Sequence, residues 1–312
     1  MLNFFQLIII YAGIYALMAI GQNCITGNTG MLSLCHAGFF CIGSYATGIL
    51  CKTLGLSFWI SLPVAALCSA IVGFIIGVPT LRLKGDYLCI ATLGLGEIIR
   101  NIATNMNPVG LMSIPRAELF GYQFSSRNKV TFILLVWFFV LVAYFLFRQL
   151  AHSRIGRAMT AVREDEVAAQ SNGIDVAKYK IGAFTLGAAI GGTAGCFATA
   201  YTLTVQPSSY TFMVSVMVLC MVVLGGMGNL KGVIVGAFII EFIQYFPQLV
   251  GLSSVIPAQA TQIIYGLCLV ILMIWRPQGI LGRDKYRYGD PRSTKEKFIS
   301  YFKREGKKGG KA

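Results

Sequence analysis

Charged residues inside long apolar stretches are the first candidates for chemistry, and this sequence has three: Glu97, Arg100 and Glu241. A charge in hydrocarbon is costly and turns toward the protein interior or toward water. Glu97 and Arg100 stand three apart, on one face of a helix. They either pair locally and fix structure, or they line a polar pathway. Glu241 has no opposite charge nearby in sequence; Gln244, one turn on, can share a polar face with it. Ser33, Cys35 and His36 place a hydroxyl, a thiol and an imidazole close together. Neighbouring helical residues point in different directions, however, and no acid is near to orient the imidazole, so nucleophilic catalysis is not expected there. All nine cysteines lie in or beside apolar stretches without a CxxC pair, and the histidines are not clustered. The thiols read as small buried hydrophobes, with neither a metal site nor a disulfide framework.

The most informative polar segment is Ala161–Lys180, AVREDEVAAQSNGIDVAKYK. Glu164, Asp165 and Glu166 suit the positive end of a short helix, the alanines favour it, and Gly173 can supply the left-handed residue that ends it. Such a helix between two spans is either a surface made to be gripped or an ordinary solvated loop helix.

The elements that position these residues follow from composition. Of 312 residues, 56% are hydrophobic and 12% charged, against roughly 25% charged in a soluble domain. A helix needs about 20 apolar residues to cross the hydrocarbon core. Candidate spans are 2–24, 30–51, 57–79, 87–105, 130–149, 180–203, 211–228, 232–250 and 258–275, nine in all. The first is read as a retained span, because no Lys or Arg precedes it to form the charged start of a signal peptide. The net charge is +14, and from Arg276 onward twelve Lys or Arg face four acids, a net +8 in 37 residues. A basic arm that directly follows an apolar segment, with few aromatics to stack on bases, reads as a cytoplasmic tail and not as a nucleic-acid site. The connection from Arg148 to Lys180 holds six basic residues. It therefore belongs on the same side, which leaves 106–129 outside and, with nine spans, the N-terminus outside.

Glycine is frequent, 35 residues in all. Gly187, Gly191 and Gly195 recur every fourth residue, a helix face that lets a neighbouring backbone approach closely. Other glycines sit with polar residues at 27–30, 94–96 and 225–229. These are candidate helix interruptions, tolerated in a bilayer where they line a cavity or are buried in protein; simple turns are the alternative at the first and third.

Several stretches together resemble a known family. They are GMLSLCHAGFFCIGSY at 30–45, LRLKGDYL at 81–88 with ATLGLGEIIR at 91–100, the 161–180 loop, VLGGMGNLKG at 223–232, and RPQGILG at 276–282. In this order they resemble LivM-type permease subunits of ABC importers for branched-chain amino acids. Cys35 and Cys41 stand where that family usually has glycine. The resemblance implies an all-α polytopic membrane protein, the transmembrane domain of an ABC importer with about 9–10 spans, some broken or re-entrant. The permease domain would be 1–280, with a cytoplasmic coupling loop at about 152–178, and 281–312 a basic cytoplasmic tail. Arg163, Glu164, Glu166, Ala169 and Gly173 would carry coupling to the ATPase, and Ser33, His36 and Glu97 are candidates for the substrate pathway. Implied partners are a LivH-like permease, two ATP-binding subunits, an extracytoplasmic solute-binding protein and the lipid of a bacterial inner membrane. ATP would be used by the partners, since the sequence contains no GxxxxGK[ST] phosphate loop. Branched-chain amino acids are the expected cargo, with urea, short amides or other amino acids as alternatives. An ion-coupled secondary transporter, or a structural or receptor-like membrane protein, are the readings from other classes.

Overall fold

The structure, a computed structural model, describes residues 2–81, 83, 85–106, 117–119, 122–124, 129–249, 267 and 279–280. Ten α-helices follow one another among these residues: α1 (Leu2–Asn23), α2 (His36–Lys52), α3 (Phe58–Thr80), α4 (Asp86–Met106), α5 (Lys129–His152), α6 (Arg154–Glu164), α7 (Glu166–Ser171), α8 (Val176–Thr202), α9 (Phe212–Gly225) and α10 (Leu230–Leu249). A short antiparallel hairpin, β1 (Ala117–Leu119) with β2 (Tyr122–Phe124), lies between α4 and α5 and pairs Glu118 with Gln123.

The first eight of the nine candidate spans each coincide with a helix, and the ninth, 258–275, lies outside the described residues, as does the tail from 281. The second span starts later than hydropathy suggests. A π-helix, Cys24–Asn28, prolongs α1, and residues 30–35 are not helical. The expected interruption at Gly94–Gly96 does not occur. α4 runs straight through it, because Gly96 meets the backbone of Cys35 and needs only the missing side chain, not a break.

The centre of the bundle is α8, packed lengthwise on α3 and α2 and also on α1. The glycine stripe explains how. A Cβ on Gly21 of α1 would stand 2.6 Å from the Gly187 carbonyl oxygen, and one on Gly187 2.8 Å from that of Gly21. Gly43 of α2 abuts the Gly192 backbone, and Gly195 abuts the Phe40 carbonyl and Ser44. With helix axes this close, side-chain hydroxyls reach backbone carbonyls across the contact: Ser44 Oγ donates to the Gly195 oxygen at 3.1 Å and Ser69 Oγ to that of Phe39 at 3.3 Å. Between helices in lipid such close packing replaces the missing hydrophobic drive. Phe39, Phe184 and Phe197 fill the space beside the glycines, fully buried.

One end of the bundle gathers four features: the π-helix, the α6–α7 segment, the base of α8 and the turn between α9 and α10. Arg163 of α6 donates to the Gly27 carbonyl, and the Gly228 amide donates to Asn23 Oδ1 at 2.8 Å.

Candidate functional site

The α6–α7 segment is built from caps. Gly156 lets the chain turn tightly off the end of α5, since a side chain there would strike the carbonyls of Leu150 and Ala151. Ser153 caps α6 by accepting the Gly156 amide at 3.3 Å. Asp165 ends α6 and caps α7, its Oδ1 accepting the amides of Val167 at 2.8 Å and Ala168 at 3.1 Å. α7 then stops as its glycine predicts: Gly173 adopts φ +78°, its amide donates to the Gln170 carbonyl at 2.9 Å, and the Ile174 amide donates to that of Ala169 at 3.0 Å. That paired bonding satisfies carbonyls a helix end leaves open. Asp175 accepts the Lys178 amide at α8's start, and its hydrogen bond with the Lys178 side chain holds its carboxyl below the usual range. The short helix expected here is α7, and a further helix, α6, precedes it across the corner at Asp165.

The segment has an inner and an outer face. Val162, Ala169 and Val176 form a small apolar cluster with Ile174 and Tyr179 behind them. Lys180 Nζ meets Glu166 Oε1 at 2.6 Å, with the lysine side chain 4% and the glutamate 30% exposed. Of the five residues expected to carry coupling, Arg163, Glu166 and Ala169 therefore face inward and hold the segment to the bundle, while Glu164 and Gly173 face out. The outward face also carries Val167 and Ala168, both exposed, which the acidic pattern did not single out. A cleft of about 400 Å³ opens beside the segment, bounded by Leu32, Leu83, Leu88, Val162, Arg163 and Lys180.

The pathway candidates lie where the stretch before α2 crosses α4. Ser33 is fully buried, its Oγ 3.2 Å from Cys35 Sγ and its carbonyl accepting from Gln22 Nε2 at 2.7 Å. His36 starts α2, fully buried and edge-on to Phe39, with neither ring nitrogen hydrogen-bonded among the described residues. It lies between Gly21 of α1 and Gly191 of α8. Glu97 is one residue from Gly96, which packs on Cys35, so the three candidates share one junction. Only Glu97 reaches the surface of the chain, 29% exposed. It pairs with Arg100 at 2.7 Å and accepts the Phe212 amide at 3.2 Å, so the pair also ties α4 to the start of α9. Side-chain bonds that the hydropathy pattern hides pin the same junction: Ser215 Oγ accepts the Ala37 amide at 2.9 Å, and Thr92 Oγ1 that of Leu34 at 3.0 Å.

A bundle with five described helices long and apolar enough to cross a bilayer, two short capped helices at one end and a π-helical turn beside them defines a polytopic helical membrane protein. Residues 4–273 match the family described as branched-chain amino acid transport system / permease component, and the chain belongs to that family. It is 37% identical over 298 residues to the high-affinity branched-chain amino acid transport system permease protein LivM of Escherichia coli, covering 86% of this chain and 68% of the relative. A probable LivM of Methanocaldococcus jannaschii is 24% identical over 90% of this chain and 94% of its own length. The LivH protein of Escherichia coli is 26% identical over 87% and 92%. The chain thus lies nearer the Escherichia coli LivM sequence than its LivH counterpart.

Proposed function

We propose that this chain is one permease subunit of an ATP-driven importer for branched-chain amino acids. It works in a heterodimer with a LivH-like permease, two ATP-binding subunits and an extracytoplasmic solute-binding protein, in a bacterial inner membrane. The carrying observation is the α6–α7 segment: two helices capped at both ends, presenting Glu164, Val167, Ala168 and Gly173 outward while Arg163, Glu166 and Ala169 anchor it inward. A rigid element with an exposed face and a buried root can receive a push and pass it on. In this reading residues 1–280 are the permease and about 152–178 the cytoplasmic coupling loop. Residues 281–312 are a basic cytoplasmic tail that fixes orientation by its charge. Closure of the ATPase pair around ATP displaces the segment, rocks the spans and switches the pathway from one side to the other. Hydrolysis belongs to the partners, and no cofactor is assigned to this chain.

Ser33, His36 and Glu97 are proposed to lie along the route of the solute. Glu97 with Arg100 offers both signs of charge to a zwitterion, whereas Ser33 and His36 are fully buried in this conformation. The cargo is tested by competition in the reconstituted complex. Isoleucine and valine should suppress labelled leucine uptake, and urea and short amides should not; suppression by urea or amides alone would reassign the substrate.

One observation favours an ion-coupled secondary transporter instead. Glu241 of α10 is fully buried, and neither carboxylate oxygen has a hydrogen-bond partner among the described residues. Uptake abolished by Glu241→Gln together with independence from ATP would favour that reading.

A further inference from the structure

The α6–α7 segment is rooted in the bundle at two separate places. One is the base of α8, through the cluster of Val162, Ala169 and Val176 and the Lys180–Glu166 pair. The other is α1, 136 positions away in sequence, where Arg163 Nη1 donates to the carbonyl of Gly27. The arginine stem lies along Gly30, which adopts φ +74° and would bring an added Cβ within 2.9 Å of Arg163 Cγ. Gly30 is thus a place where the chain gives way to that side chain. The guanidinium sits at the C-terminal end of a helix, where open carbonyls carry partial negative charge. This end is wound as a π-helix, Cys24–Asn28, a form recurrent where helices are functional.

The π-helix is joined onward in two directions. Asn23 Oδ1 accepts the Gly228 amide at 2.8 Å, and a Cβ on Gly27 would come 2.6 Å from that same Gly228 nitrogen. Gly228 belongs to the turn between α9 and α10, which positive φ at Gly226 and Gly228 shapes and onto which Gly279 and Ile280 dock, the Ile280 amide donating to the Leu224 carbonyl at 2.8 Å. In the other direction Gln22 donates to the Ser33 carbonyl, at the stretch before α2. The chain of contacts therefore runs from α6 through Arg163 to the π-helix, and from there to the α9–α10 turn and to the junction of α2 with α4.

We infer that Arg163 is a positioning residue of the transport cycle, a strut that delivers displacement of the α6–α7 segment to the π-helix at the end of α1, and not a docking contact for the ATPase. The inference rests on the ATP-driven reading above. A cap alone would need only a cation at the helix end. A strut needs the reach and the two-sided grip of guanidinium and stem on Gly27 and Gly30.

The test uses the whole complex, both permeases with ATPase and binding protein, in proteoliposomes. Two quantities are measured: leucine carried per ATP hydrolysed, and the spectrum of a nitroxide on Leu32→Cys, in the stretch beside the π-helix, with and without nucleotide trapped by vanadate. Arg163→Met should assemble and hydrolyse ATP, carry at least tenfold less leucine per ATP, and lose the nucleotide-dependent change in the spectrum. Arg163→Lys should recover part of the ratio. A wild-type ratio and spectral change in Arg163→Met would overturn the strut. If Arg163→Met does not assemble, Arg163→Lys decides: a threefold or larger fall in the ratio supports the strut, and the wild-type value overturns it. Leucine uptake by the unmutated complex that ignores ATP would overturn the ATP-driven reading itself, an outcome separate from these.

Discussion

The glycine-packed centre and the α6–α7 segment are held together by opposite means. In the centre, α1, α2 and α3 meet α8 through missing side chains: Gly21 on Gly187, Gly43 on Gly192, Gly73 on Phe184 and Ala188. No ion pair is found in those contacts among the described residues, and the polar bonds there are hydroxyl-to-carbonyl links such as Ser44 to Gly195. The segment is the reverse. It buries a handful of small apolar groups and owes its shape to Asp165, Asp175, Gly173 and the Lys180–Glu166 pair. Dispersion contacts that depend on shape give a body that moves as one piece, whereas a few polar bonds give a part that can be repositioned without dismantling it. The contrast separates substitutions that stop the protein from forming from those that stop it from working.

The largest effect belongs to the centre. Gly43→Leu drives a side chain into the Gly192 backbone, where no flexible group can yield; overpacking costs about 1–3 kcal/mol and more where backbone is struck. Loss of inserted, monodisperse protein is expected on size-exclusion after detergent extraction. Gly94→Ala, at a helical glycine with open space, should leave it unchanged. Recovery of Gly43→Leu at the wild-type level would erase the contrast from this side.

Next in size is the root of the segment. Glu166→Lys sets two cations together and leaves Lys180 buried without its partner. Removing a partner from a fully buried pair costs about 3–5 kcal/mol, and the exposed part of Glu166 brings the expected cost down to about 2 kcal/mol. The subunit should insert and assemble, with uptake lost while ATP is still hydrolysed; normal leucine uptake would detach the segment from coupling. The smallest effect is that of Asp165→Ala, which removes the cap shared by two amides of α7. About 1 kcal/mol of local stability is expected to go. Limited proteolysis should then cut faster within 165–175 than in the wild type, with the spans protected as before.

Much of the frame was legible in the sequence, because apolar runs and their charged flanks are long, redundant signals. Eight helices stand where eight apolar stretches predicted them, and Gly173 ends α7 by the left-handed turn its position suggested. The misreadings have physical causes. Gly94 and Gly96 looked like an interruption, yet a glycine in a helix serves close approach as readily as a break: Gly96 packs on Cys35, a neighbour the sequence does not reveal, and Gly94 simply stands in open space. The acidic triplet 164–166 correctly marked the start of α7, but nothing in it showed that α6 ends at the same residue, Asp165 serving one helix's finish and the next one's start. Inward and outward residues of the segment were equally polar, so nothing in the pattern separated Arg163 and Glu166 from Glu164. Asn23, Gln22 and Ser215 went unnoticed because a single amide or hydroxyl inside an apolar run carries no periodic signal. Their partners lie 205, 11 and 178 residues away.

The most direct test of the account is leucine accumulation by the reconstituted complex with ATP supplied on the side of the α6–α7 segment. Accumulation should require ATP and the solute-binding protein, and should continue when an ionophore collapses the proton gradient. Accumulation that proceeds without ATP and disappears with the gradient would contradict it.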